Sequence, residues 1–507
     1  MATVPLTATP LAISLPATRE RGLRIAFRVF GIAITAALAG HLATLLWARH
    51  AFTGVEAMVA LHSNMLAHGE GLYRDLNRYP FTVSAYGPVF YSLTALLERM
   101  GVPLYQGARS ISFLALLGTL WCAWSVLGML VANRYARFAG VLLAAATANL
   151  TFWGTTGQVD MLAIFWSLAA FRQFLVWREE ETTKGLVLCG ILAVLAMFTK
   201  QTAVAAAVTI SLCLLWDNRR RGVLWVGSVA AAAVAAALGV NALNHGHFFE
   251  NAVFANLNPF RWQKLAQQAQ YLALTAGALM AVAVLGMRDA GRRLAPLYLY
   301  TGLASAVWLV TAPKVGSDLN YQIEMTLLWC LSAAVALDRL ELFPKIVAGD
   351  KNWVTLVQIP VALHLVLNLV VTGKSLVERA LIEPFKRADI AALQPYLAPE
   401  RGLVLAAHYD AMLQTRGRID VETLIYSLLV DAGRINPEPV LGDIEARKFQ
   451  TVVLYHNVFA GPPAWDSPEL TALPKVHLEA VRKNYRLVKH VEGPFLDGEY
   501  IYEPLRD

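Results

Sequence analysis

The chain is 507 residues long, with 57% hydrophobic and only 16% charged residues, against about 25% charged in soluble domains, so lipid is the solvent for most of it. A net charge of +7 does not indicate nucleic acid as a partner, because the basic residues stand in short clusters between apolar runs, where they set membrane orientation. Cys122, Cys189, Cys213 and Cys330 all lie inside apolar runs, which excludes a disulfide framework and a Cys-x-x-Cys metal site.

In chain order, Met1 to Glu20 lacks the charged start, apolar middle and small-residue cleavage site of a secretory signal. Arg19, Arg21 and Arg24 precede the first long apolar run, Ile25 to Trp47, which reads as a retained anchor. Runs suited to a hydrocarbon core ~30 Å thick follow at Ile111 to Ala132, Ala139 to Phe152, Met161 to Trp177, Gly185 to Phe198 and Ala203 to Trp216. Five more lie at Val223 to Leu243, Tyr271 to Met287, Leu294 to Thr311, Gln322 to Leu337 and Trp353 to Val371. About eleven crossings are therefore expected.

Ser84 to Met100 is too short in its apolar part to span and is read as an interfacial helix. With that choice, Arg134, Arg137, Arg178, Lys184, Arg219 to Arg221, Arg288, Arg292 and Arg293 all fall on the side of the N-terminus. The loops opposite, near Thr155 to Asp160 and Ala312 to Tyr321, are almost free of basic residues, the asymmetry expected of a cytoplasmic N-terminus. The predicted architecture is an all-α polytopic membrane domain over residues 1–374, with a long exterior loop at 48–106. A small soluble α/β domain over 375–507 follows on the exterior side. Its strand candidates are Gly402 to Ala406 and Thr451 to Tyr455, with helices at Val421 to Asp431 and Val476 to Lys483.

The unusual polar residues gather on the exterior face. Glu56, Asp160, Lys200, Lys314 and Glu324 are ionisable groups at or within the apolar zone, which are costly unless paired or solvated and so mark site candidates. Each also has a plainer reading: Glu56 and Asp160 as helix-end carboxylates, Lys200 and Lys314 as snorkelling side chains. Arg74, Asp75 and Arg78 fit a solvated face, and His245 with His247 lacks a third ligand for a metal. No Asp-x-Asp, Walker loop, Gly-x-Gly-x-x-Gly or His-Glu-x-x-His occurs.

Order and sidedness carry a family resemblance. Glu56 in the first exterior loop is followed by Gly71-Leu72-Tyr73-Arg74-Asp75 and by Tyr86-Gly87-Pro88-Val89-Phe90-Tyr91. Gly157-Gln158-Val159-Asp160, Phe198-Thr199-Lys200-Gln201-Thr202 and Lys314-Val315-Gly316-Ser317-Asp318-Leu319-Asn320-Tyr321 come later. The whole resembles the glycosyltransferase C superfamily, and is similar to bacterial relatives of protein O-mannosyl and lipid A aminoarabinose transferases. The family's Asp or Asp-Glu acidic site is Glu56 alone here, and the Lys-Pro-Pro-Leu segment of some relatives is replaced by Tyr86-Gly87-Pro88-Val89.

The resemblance implies transfer of a sugar from a polyprenyl-phosphate donor to a lipid, glycan or protein acceptor on the exterior face of a bacterial inner membrane. It casts Glu56 and Asp160 as catalytic, Lys200 and Lys314 as donor-phosphate ligands, and Tyr73, Asp75, Tyr86, Tyr321 and Glu324 as acceptor or donor contacts. No metal ligand is assigned, and a divalent cation stays open as a cofactor. Competing readings are a transporter or flippase of lipid-linked sugars, or a noncatalytic membrane scaffold. The absence of internal repeats weighs against the transporter.

Overall fold

A computed structural model describes residues 17–288, 291–348, 351–460, 473–493 and 498–506. The expectation about a signal segment concerns residues that lie mostly outside these. The first half holds helices α1 (Ala17–Trp47), α2 (Gly54–Ala67), α3 (Pro88–Arg99), α4 (Leu104–Leu130), α5 (Arg134–Ala146), α6 (Ala148–Gly154), α7 (Val159–Glu180), α8 (Thr183–Thr199), α9 (Ala205–Asp217) and α10 (Arg219–Leu243). Then come α11 (His247–Ala252), α12 (Trp262–Leu272), α13 (Ala278–Met287), α14 (Ala295–Thr311), α15 (Ile323–Arg339), α16 (Leu342–Ala348) and α17 (Lys351–Leu397). Six helical stretches are long and apolar enough to cross a membrane, and three shorter apolar helices, α8, α9 and α14, accompany them.

Local chemistry explains where these helices begin. Thr53, Asn133, Thr182 and Asn218 each accept a backbone N–H through their side chains at the starts of α2, α5, α8 and α10, which satisfies a donor that the first turn leaves free. A π-turn at Ala273–Gly277 joins α12 to α13 and displaces the ladder. The Thr275 carbonyl there accepts from Asn368 Nδ2 at 2.9 Å and lies 2.8 Å from His364 Nδ1, both on α17.

The region expected to be an irregular exterior loop contains the capped helix α2, whose buried face includes Val59, Leu61 and Met65. The expected interfacial helix is α3. Its twelve residues rise only about 18 Å, and it buries Phe90, Tyr91 and Ala95 while leaving Leu93 and Leu96 exposed.

Hydrogen bonds reveal which loops share a face. Gln201 Nε2 donates to Ala85 O, Gly157 N to Glu56 Oε1, Arg261 N to Pro313 O, and Arg434 Nη2 to Leu257 O. On the opposite face Arg221 pairs with Glu181, Arg178 with Asp217, and the Ala132 and Asn133 N–H groups with Asp338.

Helix α17 runs unbroken from Lys351 to Leu397, through the boundary expected near residue 375, and delivers the chain to the second domain. There β1 (Val404–Ala406), β2 (Thr451–Leu454), β3 (Tyr485–Val491) and β4 (Glu499–Pro504) form one sheet in the order β1-β2-β4-β3. The β1–β2 pair is parallel and the other two pairs are antiparallel. Helices α18 (Tyr409–Arg416), α19 (Thr423–Asp431) and α20 (Glu438–Glu445) lie in the β1-to-β2 crossover. Both expected strands are fully buried, which is why continuous apolar runs betrayed them. The edge strand β3 is mostly exposed between its end residues and gives no such run.

Candidate active site

Asp160 stands in the first turn of α7, where a carboxylate is favoured by the helix dipole. The turn before it, Thr155 to Gln158, is held from several sides. Ser112 Oγ donates to the Gln158 carbonyl at 3.1 Å, and the Gln158 amide donates to Thr53 Oγ1 at 2.9 Å. Facing Asp160 is Lys200, in extended backbone at the break between α8 and α9. The break is filled by the side chain of Gln201, whose amide donates to the carbonyls of Ala85 and Ala252. Gly87 packs against the end of α8 so closely that a Cβ there would lie 1.9 Å from the Phe198 carbonyl oxygen. Any side chain at this position would push the Tyr86-Gly87 loop off the segment that carries Lys200.

Lys200 Nζ lies 2.5 Å from Asp160 Oδ1 and 4.1 Å from the centre of the Tyr321 ring. Asn320 Nδ2 donates to both oxygens of Asp160, at 3.1 and 3.2 Å. Asn320 and Tyr321 come from a short 3-10 turn, Leu319–Gln322, whose start is capped by Asp318. Burial alone would discharge Lys200, but Asp160 and Tyr321 outweigh it and hold its pKa above the ordinary value. Glu324, one turn further on, accepts from Tyr300 Oη at 2.5 Å. These residues line a small cleft whose apolar wall is Ala304, Val307 and Thr311 of α14.

Lys314 is half-buried on the loop just before this turn, its backbone bridged to Phe260. Burial first, and the charge of Lys200 second, depress its pKa. It makes no ion pair among the described residues. Lys200 and Lys314 thus feel each other's charge, and the cleft that Lys200 lines carries positive charge suited to an anionic ligand.

Glu56 sits in a different setting. Its side chain is completely buried. Arg109 reaches it through Nε at 2.8 Å and Nη2 at 3.1 Å, and the backbone N–H groups of Gly157 and Phe52 donate to it at 2.6 and 2.5 Å. Burial would raise the carboxyl pKa, but Arg109 and the two N–H groups prevail and lower it. Four donors fill the four lone-pair directions of a carboxylate. Arg109 uses four of its five N–H groups, donating also to the carbonyls of Ala48 and His50, both at 2.6 Å.

Among the other expected contacts, Tyr73 donates through Oη to the Tyr86 carbonyl at 2.7 Å and meets Phe248 edge-on, pinning the Tyr86 loop from behind. Tyr86 has its pKa raised by burial, with Tyr321 and Asp160 adding to the effect. Asp75 is elsewhere: it accepts from Asn77 N and pairs with Arg78 in a turn. The structure does not bring Asp75 to the Asp160–Lys200 pair.

Three contributors were missed from sequence. Arg109 lay just ahead of the run taken as the second span. Arg379 of α17 donates to Thr155 Oγ1 and Thr156 Oγ1, each at 2.8 Å, and packs over Phe52 and Phe152. The second domain also touches the first loop directly. Glu422 Oε2 accepts from Val83 N at 2.8 Å and lies 3.5 Å from His62 Nε2. A charged residue at the edge of an apolar run was the signal available for Arg109; the contact with Glu422 had none.

Comparison with known proteins bears on the fold. The family model for dolichyl-phosphate-mannose-protein mannosyltransferase matches residues 85–245, which include Tyr86, Gly87, Asp160 and Lys200. The fold is similar to that of ArnT from Cupriavidus metallidurans. The undecaprenyl phosphate-bound structure superposes with a TM-score of 0.62 at 14% identity, covering 93% of this chain and 97% of that one. The apo structure gives 0.64 at 14% identity, covering 94% and 98%. The resemblance read from the sequence is thus met again in the fold. No curated protein matches the sequence. The chain is an integral membrane protein with the overall architecture of these transferases.

Proposed function

We propose that this chain is a membrane glycosyltransferase that moves a sugar from a polyprenyl-phosphate donor to a lipid, glycan or protein acceptor. The observation that carries this reading is the cleft where Lys200 meets Asp160, Asn320 and Tyr321, with the charge of Lys314 felt at Lys200. The donor phosphate sits between the two lysines, which offset the charge that grows as the phosphate leaves. Asp160 holds Lys200 in place and is the carboxylate nearest the reacting groups. It passes Lys200 to the phosphate and is then released to accept the proton of the acceptor hydroxyl. Tyr86, Tyr321 and Glu324 surround the sugar. The lipid tail lies against the apolar wall of α14.

Glu56 takes another part in this scheme. Its carboxylate has no free acceptor position, and removing a proton from an acceptor would require dissolving the Arg109 pair. It serves as the anchor that fixes the Gly157 turn in front of Asp160.

The membrane part crosses about eleven times, with residues 1–374 as the transferase domain and the cleft, long first loop and domain 375–507 on the periplasmic side of a bacterial inner membrane. The test is sugar transfer by purified protein, with a panel of radiolabelled polyprenyl-phosphate sugars and a membrane extract as acceptor. Transfer by wild type, lost in Asp160→Asn and Lys200→Ala with folding intact, is the expected result. No transfer with any donor, together with carrier movement across reconstituted vesicles, overturns it in favour of a flippase.

A further inference from the structure

Among the described residues, one of the clusters of buried ionisable groups with unmet polar atoms brings two carboxyl groups together. Asp389 of α17, His408 at the cap of α18 and Glu499 of β4 bring their polar atoms within 4.8 Å of one another. His408 Nε2 is 3.5 Å from Asp389 Oδ2 and 3.8 Å from Glu499 Oε1. Both carboxyl side chains are at least nine-tenths buried, and Asp389 Oδ1 and Glu499 Oε2 have no hydrogen-bond partner.

A cluster of this composition invites a metal ion, but the histidine is turned the wrong way. The backbone N–H of Ala411 donates to His408 Nδ1 at 3.1 Å, so Nδ1 is the lone-pair nitrogen and Nε2 carries the hydrogen. An Nε2–H that points at two carboxyl groups donates to them; it does not ligate a cation. Burial opposes charge on His408, but Asp389, Glu499 and Asp410 outweigh it and raise its pKa; a single Nε2–H still faces two buried carboxyl groups side by side, and two such groups cannot both ionise at low cost. The other charged or titratable groups near the cluster are Lys386 on α17, Asp410 on α18 and Tyr455 after β2. Asp410 is already satisfied by Ala51 N, Tyr105 Oη and Gln414 Nε2, and the ammonium of Lys386 donates to the Ala51 carbonyl.

We propose that Asp389 and Glu499 share one proton, and that this proton is a latch seating the exterior domain on α17. Burial and Asp389 push the Glu499 carboxyl up to about 8, against the opposing effect of His408. A carboxyl pKa raised in the folded state gives stability that is complete below the unfolded value of about 4.5 and is lost as the pH rises through about 8. The latch therefore loosens progressively as the pH rises from about 4.5 toward 8 and is spent above that. Opening matters beyond the domain, because Asp420 and Glu422 hold Phe81 and Val83, a few residues before the Tyr86-Gly87 loop.

The test is hydrogen exchange of residues 81–87 and 409–416 in the full-length protein in lipid nanodiscs from pH 6.5 to 9.5. Wild type is compared with Glu499→Gln and Asp389→Asn at each pH, so that intrinsic exchange cancels. Release of one proton on opening makes the opening constant of wild type rise about tenfold per pH unit up to about 8 and level off above it, relative to either variant. The latch is overturned if all three proteins keep the same ratio across the range. It is also overturned if a chelator opens wild type at pH 7, or if added calcium or zinc closes it at pH 9.5; either result makes the cluster a cation site. None of these readouts depends on sugar transfer.

Discussion

Two buried carboxylate–cation pairs stand close together in this protein and differ in one respect. Glu56 and Arg109 satisfy each other and the surrounding backbone completely. Asp160 and Lys200 are also in contact, but among the described residues Lys200 Nζ makes one hydrogen bond and its neighbour Lys314 has no ion pair. A saturated pair stores its interaction in the fold, whereas an unsaturated one can exchange partners when an anion arrives. Burial and charge alone do not separate the two cases; the number of filled hydrogen-bond positions does.

The contrast is sharpest in mutants. Lys200→Ala should lower kcat about 100- to 1000-fold, the range for losing a group that meets developing charge, and should also lower the melting temperature, because it leaves Asp160 buried with only Asn320 as its side-chain partner. Asp160→Asn should approach that loss. Glu56→Gln should act on stability first, by about 3–5 kcal/mol, because it leaves Arg109 buried with a neutral partner. Thermal unfolding in detergent checks this, and full stability with a hundredfold loss of kcat would return Glu56 to the catalytic role. Lys314→Ala should raise the donor KM by about tenfold, corresponding to ~1.4 kcal/mol for one charge-assisted phosphate contact, while kcat changes less than in Lys200→Ala. Asp75→Asn should change neither constant measurably, since its carboxylate lies in a turn with Arg78; a loss of activity there would extend the site beyond the cleft.

Much of this organisation was legible in the chain. Apolar runs announce the membrane helices because lipid demands them, and the break at Lys200-Gln201-Thr202 announces itself as polar residues inside such a run. The grouping of Asp160, Lys200, Asn320 and Tyr321 on one face followed from counting helices. What sequence does not encode locally is partner choice. Glu56 and Asp160 are both isolated acids near helix ends, and only the fold gives one Arg109 and the other Lys200. Helix α2 was hidden because a helix packed between other parts of one protein needs neither a long run nor strong amphipathicity. Arg379 and Asp389 were hidden for another reason, since nothing in the sequence marks where α17 leaves the bilayer.

That helix has 47 residues and so extends about 70 Å, more than twice the ~30 Å hydrocarbon core. It carries Arg379 beneath the turn that precedes Asp160, and Asp389 beneath the exterior domain. A rod anchored in the bilayer and fastened at both points moves them together, so a change in its tilt is felt at the cleft and at the domain at once. Bilayer thickness, which sets the tilt of a long span, thereby becomes a mechanical input to the geometry around Asp160.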